Sequence, residues 1–395
     1  MIMESSRLQR YHSLDALRAA MMLLGLELHS GASYIQGPIT WMWPYRDSQT
    51  SVFFNLLLAV IHLFRMPVFF VMAGFFGALL YHRDGPAGFS RNRLKRVLLP
   101  LVIFWPIVIP LSGLGFVYAA QQVGGPSPWD TVSKLPPLQR PVLGHLWFLY
   151  DLLIFYAAAL LVVPAASRMP GRVRQYIADS FRIVTTRRWG VLVLAAVTTI
   201  TVLPMERPTI ETSASLVQPV RVLAAYAVFF VFGWLLFSQR DLIESIASRW
   251  RSMFAAGIAA TLAYITALIA GRSLGPLWWH LNGVIIGAVA VWLLIFGITG
   301  AFVRYLSIPR PLVRYLSDAS YWMYLIHVVP ITWAAGLLAR SDAPAFAKFG
   351  VVLGVATAVT VVTYHYFVRS TAVGELLNGR RHPKTMTLDA ASVGP

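Results

Sequence analysis

What most constrains this chain is the recurrence of apolar runs too long and too unbroken for a soluble fold. Residues 52–63 and 97–108 carry almost nothing polar, and similar runs recur to the end of the sequence. Crossing a hydrocarbon core of ~30 Å takes ~20 residues of helix. Backbone groups in lipid must pair internally, which leaves helices or a closed barrel. The runs lack the in/out alternation of barrel strands, so helices are expected. The reading is an all-α, polytopic transmembrane bundle of about ten helices. They fall near 14–34, 52–80, 97–119, 145–166, 189–204, 217–237, 253–271, 279–301, 319–339 and 347–368. Composition agrees: 12% of residues are charged, against roughly 25% in soluble domains. A mean hydropathy of +0.64 leaves no large soluble domain averaged in. One transmembrane domain is expected over residues 1–370, with 371–395 a disordered cytoplasmic tail. The Gly/Pro-rich stretch 124–141 reads as a surface loop, and no internal repeat is visible.

The net charge of +17 invites a nucleic-acid reading, but the basic residues are scattered between apolar segments. If the N-terminus lies inside, cytoplasmic segments hold 23 of the 33 Lys and Arg and the outer loops eight. An excess of that size, alternating loop by loop, is the mark of cytoplasmic loops. It predicts both termini in the cytoplasm, a bacterial inner membrane and no nucleic-acid partner. With no cysteine, disulfides, thiolate nucleophiles and Cys-ligated metals are excluded. The N-terminus loosely resembles a signal peptide, but Asp15, Arg18 and Glu27 interrupt its apolar stretch, so an uncleaved first helix is expected.

Polar residues at membrane depth are the informative ones, because each costs several kcal/mol there on insertion scales and such groups are usually functional. Arg18, Met22, Gly25 and His29 fall on one helical face. His29 lies about 16 Å along the axis from Arg18, and Gly25 leaves room for something slender between them. The plainer alternative is a snorkelling Arg18 and a helix-packing His29. Arg65 sits mid-span beside Pro67, after His62, and calls for a wet cavity or an acidic partner such as Glu27 or Asp15. A purely structural buried ion pair would satisfy it equally. Arg91, Arg93, Lys95 and Arg96 cluster beside the membrane. They suit the positive-inside rule, lipid headgroups or the phosphates of a nucleotide-like donor, with Arg93 and Arg96 on one face. His145 and Trp147 lie at the outer interface, where tryptophan is both belt residue and sugar platform. His327 ends a polar-aromatic segment, and His280 and His365 read as structural. No phosphate loop, dinucleotide fingerprint, zinc-binding helix or nucleophile elbow is present.

Taken in order, these pieces resemble the acyltransferase 3 family of membrane O-acyltransferases. The matching blocks are Leu14-Asp15-Ala16-Leu17-Arg18 with His29 after ten residues, and Phe69-Phe70-Val71-Met72-Ala73-Gly74-Phe75-Phe76. Arg93, Arg96 and Pro100 follow, then His145-Leu146-Trp147-Phe148-Leu149, and last Tyr324-Leu325-Ile326-His327. The similarity spans residues 11 to about 369. It is nearest to the branch that succinylates osmoregulated periplasmic glucans, although Glu27 stands where the family's first helix usually runs apolar.

The resemblance implies that an acyl group passes from cytoplasmic acyl-CoA, here succinyl-CoA, to a hydroxyl of a periplasmic glucan. Arg18, Arg93 and Arg96 would hold the CoA phosphates. His29 would act as general base, with Arg65 and Asp15 beside it in the catalytic group. His145, Trp147, His62 and His327 would shape the acceptor side. It implies no metal and no permanently bound cofactor, and the chain could assemble as a homo-oligomer. An exporter of a sugar or small acid is the alternative from another class; it would favour internal repeats and paired broken helices.

Overall fold

The structure, a computed structural model, describes residues 11–382 apart from Trp41 and Pro309. Among the described residues it is helical, with two isolated bridges, Thr40 to Trp43 and Val142 to Ser215, in place of any sheet. The helices are α1 (His12–Gly31), α2 (Val52–Arg93), α3 (Leu99–Gln122), α4 (Pro128–Ser133), α5 (Trp147–Ser167), α6 (Gly171–Thr186), α7 (Gly190–Val202) and α8 (Val220–Ser238). Then follow α9 (Leu242–Ser248), α10 (Trp250–Ala270), α11 (Pro276–Tyr305), α12 (Pro311–Ile326), α13 (Val328–Leu338), α14 (Ala345–Thr363) and α15 (Ala372–Asn378).

Every apolar segment read from the sequence is helical, but membrane spans are harder to count than helices. Among the described residues six helical stretches are long and apolar enough to cross a membrane, and two bent pairs raise the number to as many as eight. One stretch, Val52–Gln122, runs 71 residues, roughly 100 Å at the α-helical rise. It breaks at Gly85, whose φ of 70° lies in the left-handed region that glycine reaches without steric cost. The charges of α1 keep it out of the six. The bent pairs are α6–α7, at 108°, and α12–α13, at 61°.

Burial sorts centre from rim. In α11, 72% of the apolar window is buried, against 22% in α10 and 28% in α14. The latter pair therefore turns apolar side chains outward, as a lipid-facing helix does. Small residues let the inner helices approach. A Cβ at Gly74 of α2 would collide with the carbonyl of Phe230, and one at Gly233 of α8 with that of Val71. The glycine of the Phe69–Phe76 block thus serves backbone-to-backbone packing, the usual device where no hydrophobic drive separates helix from lipid.

The disorder expected from residue 371 does not hold through residue 382. Helix α15 buries Gly374 and Leu377, and Asn378 Nδ2 donates to the Asp318 carbonyl at 2.9 Å. Docking of this turn onto α12 explains the difference, since tail order depends on contacts with a distant element. The rest of the expected tail, 383–395, lies outside the described residues, as do Arg7 and Arg10.

Candidate active site

Helices α1 and α12 run side by side and carry polar groups at both ends. At one end, Arg18 Nη2 donates to the carbonyl and hydroxyl oxygens of Ser317, each at 3.2 Å. Asp15 Oδ1 stands 3.5 Å from the same nitrogen, and Ser317 Oγ donates to the Asp15 carbonyl at 2.9 Å. One turn further along α12, Tyr321 donates to the Arg96 carbonyl at 2.7 Å. Arg96 lies in a π-helical turn, Leu94–Leu98; such bulges are frequent at functional sites. Arg93 lies over the Tyr156 ring at 4.9 Å and donates to its hydroxyl at 3.3 Å. Three cations are thus carried by α1, the end of α2 and the bulge that follows it.

At the other end three imidazoles meet. His29 Nδ1 and His327 Nε2 are 2.7 Å apart. The His145 ring centre lies 5.0 Å from that of His327 and 6.4 Å from that of His29. His145 Nε2 donates to the Leu325 carbonyl at 3.0 Å, and Tyr324 donates to the His145 carbonyl at 2.7 Å. Ser317 and His327 are ten residues apart on α12, so the cationic end and the imidazoles are about 15 Å apart along the axis. The Arg18–His29 spacing on α1 repeats that distance.

Arg65 enters between the two ends. It is 5% exposed, and its Nε donates to the Met21 carbonyl at 3.0 Å. Its guanidinium fills the notch at Gly25, where any Cβ would collide with it. Two expectations are corrected here. The face of α1 at Gly25 is not open, because the arginine occupies it. Nor does Arg65 have an acidic partner: among the described residues it forms no ion pair, and Asp15 is committed to Arg18. A backbone carbonyl and a glycine notch are what the surrounding helices offer instead.

The structure therefore brings together His29, His145, His327 and Arg65, and separately Arg18, Arg93 and Arg96 at the other end. Asp15 and Trp147 stand elsewhere, whereas His62, a turn before Arg65 on α2, stays close to Arg65 and His29. Asp15 is fourteen residues from His29 on α1, about 21 Å along the axis, and belongs to the cationic end. Trp147, 8% exposed, packs on Tyr226 with ring centres 5.4 Å apart; as a core residue it offers no free face to a sugar. His62 Nε2 donates to the Ile210 carbonyl at 3.1 Å, tying α2 to the segment between α7 and α8. The resemblance located these residues by sequence block, and only packing separates a core aromatic from a lining one.

Two residues went unread. Trp43 stacks on His29 with ring centres 5.7 Å apart and planes within 4°, and its Nε1 donates to Ser33 Oγ at 2.9 Å. The aromatic stretch Trp41-Met42-Trp43, so soon after His29, was the available signal. Asp151 is fully buried, and neither carboxylate oxygen accepts a hydrogen bond. An acid in an otherwise apolar segment could have been flagged. Among the described residues no group of three His, Asp or Glu is placed to hold a metal.

Such a site has an imidazole that can take a proton, a buried guanidinium that can stabilise developing negative charge, and a separate cationic end for a phosphorylated group. Residues 11–365 match the family described as "Acyltransferase domain", and the chain belongs to that acyltransferase 3 family. It is similar to the glucans biosynthesis protein C of Escherichia coli (strain K12), 26% identical over 337 residues, or 81% of either chain. The protein of that name from Salmonella paratyphi B is 25% identical over 331 residues, 82% of this chain and 83% of its own. No solved structure matches.

Proposed function

We propose that this multi-pass membrane acyltransferase moves an acyl group, succinyl for preference, from cytoplasmic acyl-CoA to a hydroxyl of a periplasmic glucan. The observation that carries the reading is the pair of ends on α1 and α12: cations at one, imidazoles at the other, about 15 Å apart. Arg18, Arg93 and Arg96 take the phosphates of the donor, whose slender arm leads to the imidazoles. His29 accepts the proton of the attacking hydroxyl. The hydroxyl oxygen bonds to the thioester carbonyl carbon, the carbon–sulfur bond breaks, and the thiolate leaves. It takes up the proton, giving an ester and free CoA thiol. Arg65 stabilises the oxyanion or pairs with a succinyl carboxylate. The names of the similar proteins, which speak of glucan biosynthesis, support the acceptor class.

Sidedness completes the reading. We take ten crossings, with α1 counted despite its charges and Val52–Gln122 divided at Gly85, so that both termini and the cationic end would face the cytoplasm across a bacterial inner membrane. A reporter placed in 168–188 reads cytoplasmic and one in 124–141 periplasmic; the opposite pattern sinks the assignment of ends.

Purified protein releases CoA from succinyl-CoA, faster than from acetyl-CoA, only when glucan is present. General-base contributions are typically ~10²–10⁴-fold, so His29→Ala lowers glucan acylation by about 100-fold or more. Acyl-CoA binding stays unchanged, and mass spectrometry of the glucans reads the product. An exporter would instead show altered flux with no covalent product from either form. Wild-type acylation by His29→Ala would falsify the assignment of the base.

A further inference from the structure

The bend between α12 and α13 falls at His327. Pro330, a turn further on, has no N–H to return to Ile326, and the axis turns by 61°. Broken helices persist at membrane depth where side chains take over freed backbone groups. Here imidazoles do so: His145 Nε2 takes the Leu325 carbonyl at 3.0 Å. His327 Nδ1 lies 2.9 Å from the Tyr324 carbonyl, and 3.1 Å from that of Met323, which also accepts the His327 backbone N–H.

Two carbonyl oxygens facing one ring nitrogen fix its state. Carbonyls only accept, so His327 Nδ1 carries a hydrogen. In a neutral ring His327 Nε2 is then an acceptor. His29 Nδ1, 2.7 Å away, must be the donor, and that leaves His29 Nε2 unprotonated. His327 is wholly buried, with no carboxylate in ion-pair contact among the described residues, which disfavours an imidazolium in its place.

We propose that His327 is a positioning residue: anchored on the carbonyls of the α12–α13 bend, it holds His29 in the tautomer whose Nε2 is free to take the acceptor's proton. The inference rests on His29 being the base. It departs from the acceptor-binding role that the family resemblance implies for His327. A group that touches the base and not the substrate acts through the geometry and tautomer it imposes, as a carboxylate does behind the histidine of a serine hydrolase triad.

Two amide substitutions separate anchoring from tautomer control. His327→Asn keeps a short amide that can reach the Tyr324 and Met323 carbonyls but loses the acceptor toward His29. His327→Gln puts an amide oxygen close to the position of Nε2 and keeps that acceptor. Full-length protein in detergent, supplied with succinyl-CoA and periplasmic glucan, shows kcat lowered about 100-fold in His327→Asn, with KM for the donor unchanged. His327→Gln recovers most of the loss. In a His29→Ala background, His327→Asn costs nothing further, because groups that act as a unit are non-additive. His327→Asn as active as wild type, or more active than His327→Gln, overturns the tautomer role and leaves His29 as base intact. An equal loss from His327→Asn with and without His29 overturns it too, by exposing a merely structural part. An active His29→Ala removes both readings.

Discussion

Two buried charged sites answer the same problem differently. Near the imidazole end of the bundle, Lys348 of α14 and Asp47 of the α1–α2 loop are both fully buried and 2.8 Å apart. Tyr45 donates to Asp47 Oδ2 at 3.0 Å, and the backbone N–H of Gln49 donates to Oδ1 at 2.8 Å. Charge meets charge, and both carboxylate oxygens accept hydrogen bonds. In the middle of the bundle, Arg65 has a carbonyl and a glycine notch but no carboxylate. Asp151 has no hydrogen bond at all. The first site is satisfied and fastens the loop that carries Trp43 over His29. The second is under-satisfied, which folding alone would not favour and which marks groups kept for a reactant.

Substitution at each centre breaks or sharpens that contrast. Lys348→Met strands Asp47 as an uncompensated buried charge, a change that costs about 3–5 kcal/mol. Thermal unfolding in detergent shows a large fall, and adding Asp47→Leu restores much of it. Arg65→Met does the reverse. It removes a charge with no counter-ion, so the melting temperature holds or rises. Acylation nevertheless falls by about 10²–10³-fold, the scale of losing one oxyanion donor. If Arg65→Met unfolds the protein as Lys348→Met does, the two sites are both structural and the contrast collapses.

Much of this was legible in the sequence because lipid leaves little freedom. A run of apolar residues must be a helix, and a charge inside it must be explained, so His29 and Arg65 stood out without any structure. The pairings were not legible. Asp47 and Lys348 are three hundred residues apart, and either could have been an ordinary loop charge. Gly25 reads equally well as an open groove or as a seat for a side chain from another helix. His327 and Pro330 are close enough in sequence to suggest a bend, but which carbonyls the bend frees depends on its direction. Asp15 and Trp147 failed for a related reason: a motif places a residue on an element without saying which end or face meets the site.

The smallest expected effect on folding lies at the cationic end, and it sets the limit of the comparison. Arg93 and Arg96 are half-buried and neither is in an ion pair among the described residues, and such cations contribute roughly 0–1 kcal/mol to stability. Replacing both by Ala therefore leaves the protein level and melting temperature close to wild type. Hydrogen bonds to charged groups are worth ~1.5–3 kcal/mol. Losing two phosphate contacts should thus weaken acyl-CoA binding by at least about tenfold, with kcat at saturating donor nearly unchanged. Arg93 also holds Tyr156 through its ring and hydroxyl, so Arg93→Lys tests whether packing or phosphate contact is responsible. Lysine keeps the charge but stacks less well. Equilibrium binding of acyl-CoA to the purified double variant decides it: wild-type affinity would mean that these cations set topology and lipid contact alone, with the donor held by Arg18 or elsewhere.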